Sequence, residues 1–558
     1  MGGDAAAGGA GLTNSNAAPL TNAARAALGL LFVLVPFEPR FTIPLGPLRL
    51  SLLEAVALPA FALLAIAFVR ADVFRWPPAV LSLAIMTAAA MASSALAVED
   101  PARSLKFSLR IGAMTVMAAL ASHFDERGAR IALRALAIAG SAAAALAILE
   151  GAGMRQLDVF LGAFREIPFN VAGVRRATAG SEYPNLGAAM IAYALLAGVA
   201  LLRDRNAARA IFTAVLTCGL AFTYSRGAWI AAVAGLVTIA SFERSRARWI
   251  PLAVGLSILC AFLGVKEISQ VRLGGENAND FYAATYRTQE DIALKPSELT
   301  MVEVAVTNTG RRPWRKTEEI HLSYHLYEDA HRPLVDGPRT DLPKDVLPGE
   351  SVTITARLRA PLREGAYVLM WDLVHEDTTW FSGQGVRPGV ARLTVGDDAS
   401  TSSTVSKEAG LRRVSEGLAW RPSRVELWSI ALDMWASHPL LGVGPDAFRW
   451  SYGRSVGRDA FDTRVFANNT VLEFAATLGS LGLAAWLAAV ALALRSRVRR
   501  ARESPAALAS LAILIAILVH GLADHLLAFT GHYLVFALAI GIESGAPTVT
   551  RNGDKVPA

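Results

Sequence analysis

Residues 471–494 read VLEFAATLGSLGLAAWLAAVALAL, and residues 495–500 read RSRVRR. The first stretch is apolar for long enough to cross a hydrocarbon layer of about 30 Å. The second is a block of arginines set against one end of it, as expected of the cytoplasmic end of a membrane span. The same grammar recurs along the chain. Apolar runs fall at 26–37, 51–69, 78–96, 107–122, 131–148, 186–202, 210–223, 228–242, 250–265, 471–494, 506–523 and 528–542. The fold expected is a polytopic all-α membrane protein of about 12 transmembrane helices. Many of the runs are rich in Ala and Gly, which lets helices pack closely in lipid.

Composition agrees. The 558 residues are 53% hydrophobic and only 18% charged, with a mean hydropathy of +0.39. A soluble domain carries about 25% charged residues. The net charge of +7 does not point to nucleic acid, because the basic residues sit in short loops between apolar runs. Cys218 and Cys260 lie inside apolar runs, and neither a disulfide framework nor a metal-type Cys/His spacing is present. No metal or cofactor is expected.

The loops give an orientation. With a cytoplasmic N-terminus, the inner loops hold Arg70 and Arg75, Arg127 and Arg130, Arg203, Arg205 and Arg209, Arg244, Arg246 and Arg248, and the cluster from Arg495 to Arg502. Residues 1–22, rich in Gly, Ala and Asn, are expected to form a disordered cytoplasmic tail, and 546–558 a cytoplasmic tail at the other end. Residues 23–266 then form an N-terminal bundle of about nine helices, and 467–545 the C-terminal helices. Two long outer segments remain, 151–183 and 267–466. Within the second, the pattern from 297 to 395 changes to period-two alternation. Val302, Val304 and Val306 alternate, as do Ile320, Leu322, Tyr324 and Leu326, then Val352, Ile354, Ala356 and Leu358. Short alternating runs between Gly/Pro turns predict an all-β sandwich inserted in an extracytoplasmic loop. It is similar to bacterial Ig-like domains. The Ser/Thr stretch 400–406 reads as the linker back, and 421–466 as an amphipathic segment.

Arginines on the outer side run against the topology bias. Arg226 follows Tyr224-Ser225 at a tight turn. Arg176 precedes Glu182-Tyr183-Pro184-Asn185. Arg424 begins the segment that leads back to the membrane. A planar guanidinium, always charged, suits a phosphate. Lys106 and Arg110, one helical turn apart, read as side chains snorkelling to a headgroup. Ionisable groups inside spans default to functional candidates. These are Glu473, near the start of its span, and His520 with Asp524, whose i,i+4 spacing puts them on one face of a continuous helix.

Four elements together resemble the O-antigen ligase and O-antigen polymerase family. They are Arg176-Ala-Thr-Ala-Gly180 running to Pro184-Asn185; Thr223-Tyr224-Ser225-Arg226-Gly227-Ala228-Trp229; Arg424-Val-Glu-Leu-Trp428 with His438-Pro-Leu-Leu-Gly-Val-Gly-Pro445; and Ala467-Asn468-Asn469 running to Gly479-Ser480-Leu481-Gly482. The similarity covers most of the membrane part and none of the β insert.

The resemblance implies a GT-C-like glycosyltransferase of a bacterial inner membrane, with the large loop in the periplasm. Its donor would be an undecaprenyl-pyrophosphate-linked glycan. Its acceptor would be a lipid A core sugar, another glycan, or a protein hydroxyl. Arg176, Arg226 and Arg424, with Tyr224 and Asn185 beside them, would hold the diphosphate. Membrane lipids are expected as partners, and nucleic acid is not.

Ligase and polymerase are not separated by these motifs. A non-catalytic assembly or transport component is the competing class. A transporter should show repeats or broken helices with polar groups in the membrane, and the sequence displays neither. The family favours a catalytic His where this chain has Asn468. An amide positions a hydroxyl but takes no proton at neutral pH. Glu473, His520 and Asp524 are therefore the candidate substitutes for the base.

Overall fold

The structure is a computed structural model that describes residues 21–45, 48–70, 76–97, 100–165, 169–171, 174–265, 282–327, 333–376, 379–382, 386–396, 422–458 and 461–542. The expected tails, the 400–406 linker and the inner-loop Arg75 lie outside these residues.

The first helical group comprises α1 (Asn22–Leu34), α2 (Leu52–Arg70), α3 (Pro78–Ala95), α4 (Pro101–Ala121), α5 (Glu126–Gly151), the short α6 (Leu157–Leu161), α7 (Pro184–Leu201), α8 (Asn206–Phe222), α9 (Arg226–Phe242) and α10 (Ile250–Leu263). Local chemistry fixes many of the starts. Thr21, Asp100 and Asp125 accept from backbone N–H groups of the first turns of α1, α4 and α5. Pro78, Pro101 and Pro184 occupy first positions, where the missing N–H costs nothing. The Asp100 cap explains why α4 begins ahead of the apolar run at 107–122. Two hairpins interrupt the helices. The first pairs β1 (Thr42–Leu45) with β2 (Leu48–Ser51), and the second pairs β3 (Phe169–Val171) with β4 (Val174–Arg176).

A β-rich module follows. Its strands are β5 (Ala284–Arg287), β6 (Asp291–Leu294), β7 (Leu299–Asn308), β8 (Ile320–Tyr327), β9 (Pro333–Asp336), β10 (Thr340–Asp341), β11 (Ser351–Arg359), β12 (Gly365–His375), β13 (Thr379–Trp380) and β14 (Gly389–Val395). One sheet runs β10-β8-β12-β14-β6, with β9 on β8 and β13 on β12; the other runs β11-β7-β5. Alternate residues of both sheets enter one core, including Val304, Val306, Ile354, Leu322, Leu369, Trp371 and Leu393. The module reaches further toward the N-terminus than 297. β5 pairs with β7, and β6 runs parallel to β14. Both are four-residue strands, too short to display a period.

The chain ends with α11 (Arg424–Ser437), α12 (Phe448–Ser455), α13 (Thr470–Arg500), α14 (Pro505–Gly521) and α15 (Thr530–Gly541). α7 is the axis of the membrane part and packs against α5, α14, α8 and α9. Small residues allow this: a Cβ added to Gly140 of α5 would lie 2.0 Å from the Ala194 Cβ of α7.

The twelve apolar runs all fall on helices. Seven of these are long and apolar enough to cross a membrane, and five apolar helices are shorter. α15, with 12 residues, rises about 18 Å at 1.5 Å per residue, short of a full bilayer core. The molecule is thus a mostly helical multi-pass protein with added β-sheets.

Arg209 and Arg497, from the basic clusters, are buried with structural partners. Arg209 forms two hydrogen bonds to Glu243, at 2.9 and 2.8 Å, with both side chains buried. Arg497 reaches the carbonyls of Ala539 and Ile540 at the end of α15 and the Ser510 hydroxyl. A cation there offsets the negative end of that helix.

One span is broken. Within α13, Gly479 has φ +64 and ψ −169, outside the helical range. The segment 438–445 fits against the break. Val443 N–H donates to Ala476 O at 2.9 Å and Gly444 N–H to Thr477 O at 3.2 Å. From the other side, Ser480 N–H donates to Pro439 O at 2.8 Å and Leu481 N–H to Leu440 O at 3.2 Å. The sequence reading, which saw 471–494 as one straight span and no broken helix, is corrected here. The cause is tertiary: the freed backbone groups find partners in a loop distant in the local pattern.

Candidate functional site

Arg176 closes the β3–β4 hairpin, and its surroundings explain how it is held. Glu150, at the end of α5, is wholly buried; it is bonded by Arg165 and accepts from Thr178 N–H at 2.8 Å. Arg165 also bonds Asp158 at 2.6 Å, and Arg175 pairs with Asp158 as well. Burial alone would raise the Asp158 carboxyl, but Arg175 and Arg165 hold it below the usual range. This network ties Asp158, Arg165, Arg175 and Thr178 to the end of α5.

Arg176 itself donates from Nε to Thr223 O at 3.0 Å and from Nη2 to Asn185 Oδ1 at 2.8 Å. Asn185 passes the connection on: its Nδ2 donates to Asp524 Oδ2 at 2.8 Å. Asp524 Oδ1 accepts from its neighbour's N–H, that of His525, at 2.8 Å. The Thr470 hydroxyl donates to the Asp524 carbonyl at 3.2 Å. A guanidinium, an amide and a carboxylate from three distant stretches thus form one chain. Its amide orientation is the only one that satisfies both ends.

His520 lies on α14 beside this chain, buried, and a Cβ on Gly227 would lie 2.8 Å from its ring. That contact sets the start of α9, and with it Arg226, against α14. Asp524 and Arg424 are both electrostatic neighbours of His520. The expectation that His520 and Asp524 share a helix face is corrected. α14 stops at Gly521, so Asp524 lies beyond the helix. Among the described residues the buried His520 Nδ1 has no hydrogen-bond partner, and the Asp524 carboxylate is engaged by Asn185 instead.

The remaining candidates separate into other roles. Asn468 has φ +51, in the left-handed region that Asn tolerates better than most residues. The next residue, Asn469, caps α13 through Val471 and Leu472 N–H and donates to Leu522 O at 3.1 Å. Glu473 is buried and accepts from Ala467 N–H at 2.8 Å, with Asp446 and Arg449 as its charged neighbours. It braces the turn that carries Asn468. Tyr224 has φ +54, is buried, and packs its ring 5.2 Å from Phe262 of α10.

A cavity of about 290 Å³ opens next to the chain, lined by Glu38, Arg40, Arg110, Tyr183, Leu186, Asp446, Arg449, Arg464, Phe466, Phe529 and others. It touches both flanks of Asn185 and the loop after Asp524. Sequence reasoning missed Glu38 and took Arg110 as a snorkelling cation. Arg110 Nε instead donates to Glu54 Oε1 at 2.7 Å. Glu38 sits in the stretch Pro36-Phe37-Glu38-Pro39, where no periodicity marks it. Among the described residues no cluster of His, Cys, Asp and Glu is arranged to hold a metal ion.

The multi-pass helical part of the protein thus gathers arginines and carboxylates around a cavity beside the start of α7 and the loop beyond α14. Residues 389–487 match the family model for O-antigen ligase. That segment, which holds α11, α12 and the broken start of α13, is where the chain is similar to the O-antigen ligase family. The comparison with curated proteins gives no match. Arg424, Asn468 and Glu473 lie inside the matched segment, and Arg176, Asn185, Tyr224, Arg226, His520 and Asp524 outside it.

Proposed function

We propose that this protein is an O-antigen ligase-like glycosyltransferase. It moves a glycan from undecaprenyl pyrophosphate to an acceptor hydroxyl, such as that of a lipid A core sugar, at the periplasmic face of a bacterial inner membrane. In this reading the chain crosses the membrane about twelve times, with both termini cytoplasmic. The β module is an Ig-like sandwich in the periplasmic loop that binds glycan or a partner protein, or shapes the loop.

The observation that carries the reading is the hydrogen-bonded chain Arg176–Asn185–Asp524, set beside Arg226 and Arg424 in a chain with the O-antigen ligase segment. The arginines neutralise the two phosphates, and the negative charge growing on the departing diphosphate strengthens that grip in the transition state. Asn185 and Asp524 fix the Arg176 fork. His520, with Arg424 and Asp524 as charged neighbours, lies where the glycosyl centre would pass. Glu473 and Asn468 shape the entrance rather than move protons.

A polymerase, joining one lipid-linked repeat to another, uses the same site and is the second reading. Transport is favoured by one observation, the break at Gly479. Backbone groups of Ala476, Thr477, Ser480 and Leu481 on its two sides are taken up by residues 439–444 rather than turned to a solute. That supports an enzyme over a carrier. The test is the surface-glycan profile of a deletion strain complemented with Arg176→Ala, Arg226→Ala or Arg424→Ala. Loss of the ligated or polymerised glycan with each is expected; full complementation by all three would overturn the diphosphate site.

A further inference from the structure

The transfer needs a group to take the acceptor's proton, and the cavity beside the chain contains a better-placed one than any residue in the family motifs. The carboxylates on and behind its wall are not equivalent: Glu182, which also lines it, is hydrogen-bonded to the Tyr183 hydroxyl. Asp446 is held by Arg449 in a two-pronged pair at 2.6 and 2.7 Å and accepts from Trp450 Nε1 at 3.3 Å. Glu54, behind the wall, is consumed by the start of α2. Its Oε2 accepts from Ser51 N–H at 2.8 Å while Ser51 Oγ accepts from Glu54 N–H at 3.2 Å, a reciprocal cap. Its other oxygen takes Arg110.

Glu38 differs. The hydroxyls of Ser51 and Thr530 bond to its carboxylate, and Arg110, whose charge acts on it, is hydrogen-bonded to Glu54. A carboxylate has about four lone-pair sites, so two hydroxyls position Glu38 and leave it capacity to accept. It faces the cavity. Aromatic rings line the same space, and three of them pack together: Phe529 lies 6.4 Å from Tyr183 and 6.2 Å from Phe466, both edge-on. Rings with a polar rim of arginines and carboxylates suit the mixed apolar and hydroxylated faces of a sugar.

We propose that Glu38 is the general base of the transfer, and that this cavity seats the acceptor sugar whose hydroxyl it deprotonates. The proposal rests on the glycosyltransferase reading above. The acceptor O–H bond breaks and its proton passes to the Glu38 carboxylate. The acceptor oxygen forms the new bond to the anomeric carbon, and the bond from that carbon to the diphosphate breaks. The diphosphate leaves with the electron pair toward the Arg176 side, and no oxidant or reductant is needed.

Burial raises the Glu38 carboxyl above the usual glutamate range, with the Ser51 and Thr530 hydroxyls and Arg110 pulling against it. Glu54, Arg110 and Tyr533 are the titratable and charged groups packed nearest. A base so tuned works closer to neutral pH.

The test uses full-length protein reconstituted with a lipid-linked glycan donor and a sugar acceptor. Wild type, Glu38→Gln, Glu38→Asp and Arg176→Ala are compared for kcat, KM, donor binding and pH profile. Glu38→Gln is expected to lose about 10²–10⁴-fold in kcat, with donor binding and melting temperature kept. The acid limb of the pH profile should vanish with it, and Glu38→Asp should recover part of the rate with the limb restored. A Glu38→Gln rate and acid limb equal to wild type would overturn the proposal while leaving the transferase reading intact. Wild-type protein that transfers no glycan to any acceptor, under conditions where donor binds, would sink both.

Discussion

Asn185 and Asp524 are 339 residues apart in sequence, yet the amide Nδ2 of one donates to Oδ2 of the other at 2.8 Å. This bond joins the start of α7 to the loop beyond α14 and aligns the guanidinium of Arg176. Every functional statement about the arginine site depends on it.

Asn185→Ala should lower glycan transfer by about tenfold to a hundredfold, the usual cost of a misplacement near 1 Å, with protein level unchanged. The Arg176 fork would lose its Asn185 anchor and the Asp524 carboxylate its donor. A double-mutant cycle with Asp524→Ala checks the coupling. Additive losses in the cycle would mean that the two residues act separately.

Gly479→Ala and Gly442→Ala should each destabilise the protein. Gly479 has φ +64, and a Cβ there would lie 2.4 Å from the Leu440 carbonyl carbon; Gly442 has φ +70 and meets the Thr477 backbone at the same distance. Backbone strain alone costs about 1–3 kcal/mol, and backbone cannot step aside as a side chain can. Gly457→Ala is the control, since its φ is +74 but nothing lies within 4 Å. Melting in detergent should fall well below that of the control for the first two. Equal losses in all three would mean that conformation, not the close crossing, sets the cost.

Asn468 should prove to be a conformational residue. Its φ of +51 suits Gly as well as Asn, and a β-branched side chain poorly. Asn468→Gly is expected to keep transfer within about threefold, while Asn468→Val loses most of it, in line with strain of about 1–3 kcal/mol at such a position. Loss of transfer in Asn468→Gly at normal protein levels would return the amide to a chemical role.

The buried pair Arg209–Glu243 should behave asymmetrically. Glu243→Gln or Arg209→Met leaves a partner ionised in an apolar setting, at a cost of about 3–5 kcal/mol. The double replacement Arg209→Met with Glu243→Leu should recover most of that stability. Thermal unfolding of the three variants reads the difference directly.

Asp372 gives the β module a pH dependence. It is wholly buried, accepting from Tyr286 Oη at 3.1 Å and Ser382 N–H at 3.1 Å. Burial pushes its carboxyl up to about 7. An unfolded aspartate titrates near 3.9, so between these values the folded module keeps a proton that the unfolded chain has released. Its stability contribution is complete below about pH 4, declines as pH rises, and is gone above about pH 7. Hydrogen-exchange protection of β12, corrected for intrinsic rates, should be greater at pH 5 than at pH 8. Asp372→Asn should flatten the difference.

The sequence by itself determined what depends on short-range order. Apolar runs such as 186–202, with caps and prolines at their edges, marked where α7 and its neighbours form, because hydrophobicity and terminal hydrogen bonds act within a few residues. Alternation marked the long strands β7, β8 and β11 for the same reason, and missed β5 and β6 because four residues hold too little pattern. The motif arginines were legible one at a time.

The tertiary structure alone decided which of these residues meet. It set Asn185 between Arg176 and Asp524, ended α14 before Asp524, and turned Glu473 toward the Ala467 backbone. It broke α13 at Gly479 and filled the break with residues 439–444. It also placed Glu38, a single carboxylate in an unpatterned loop, on the wall of a cavity. Such contacts arise from packing elements that are hundreds of residues apart, and no local period carries that information.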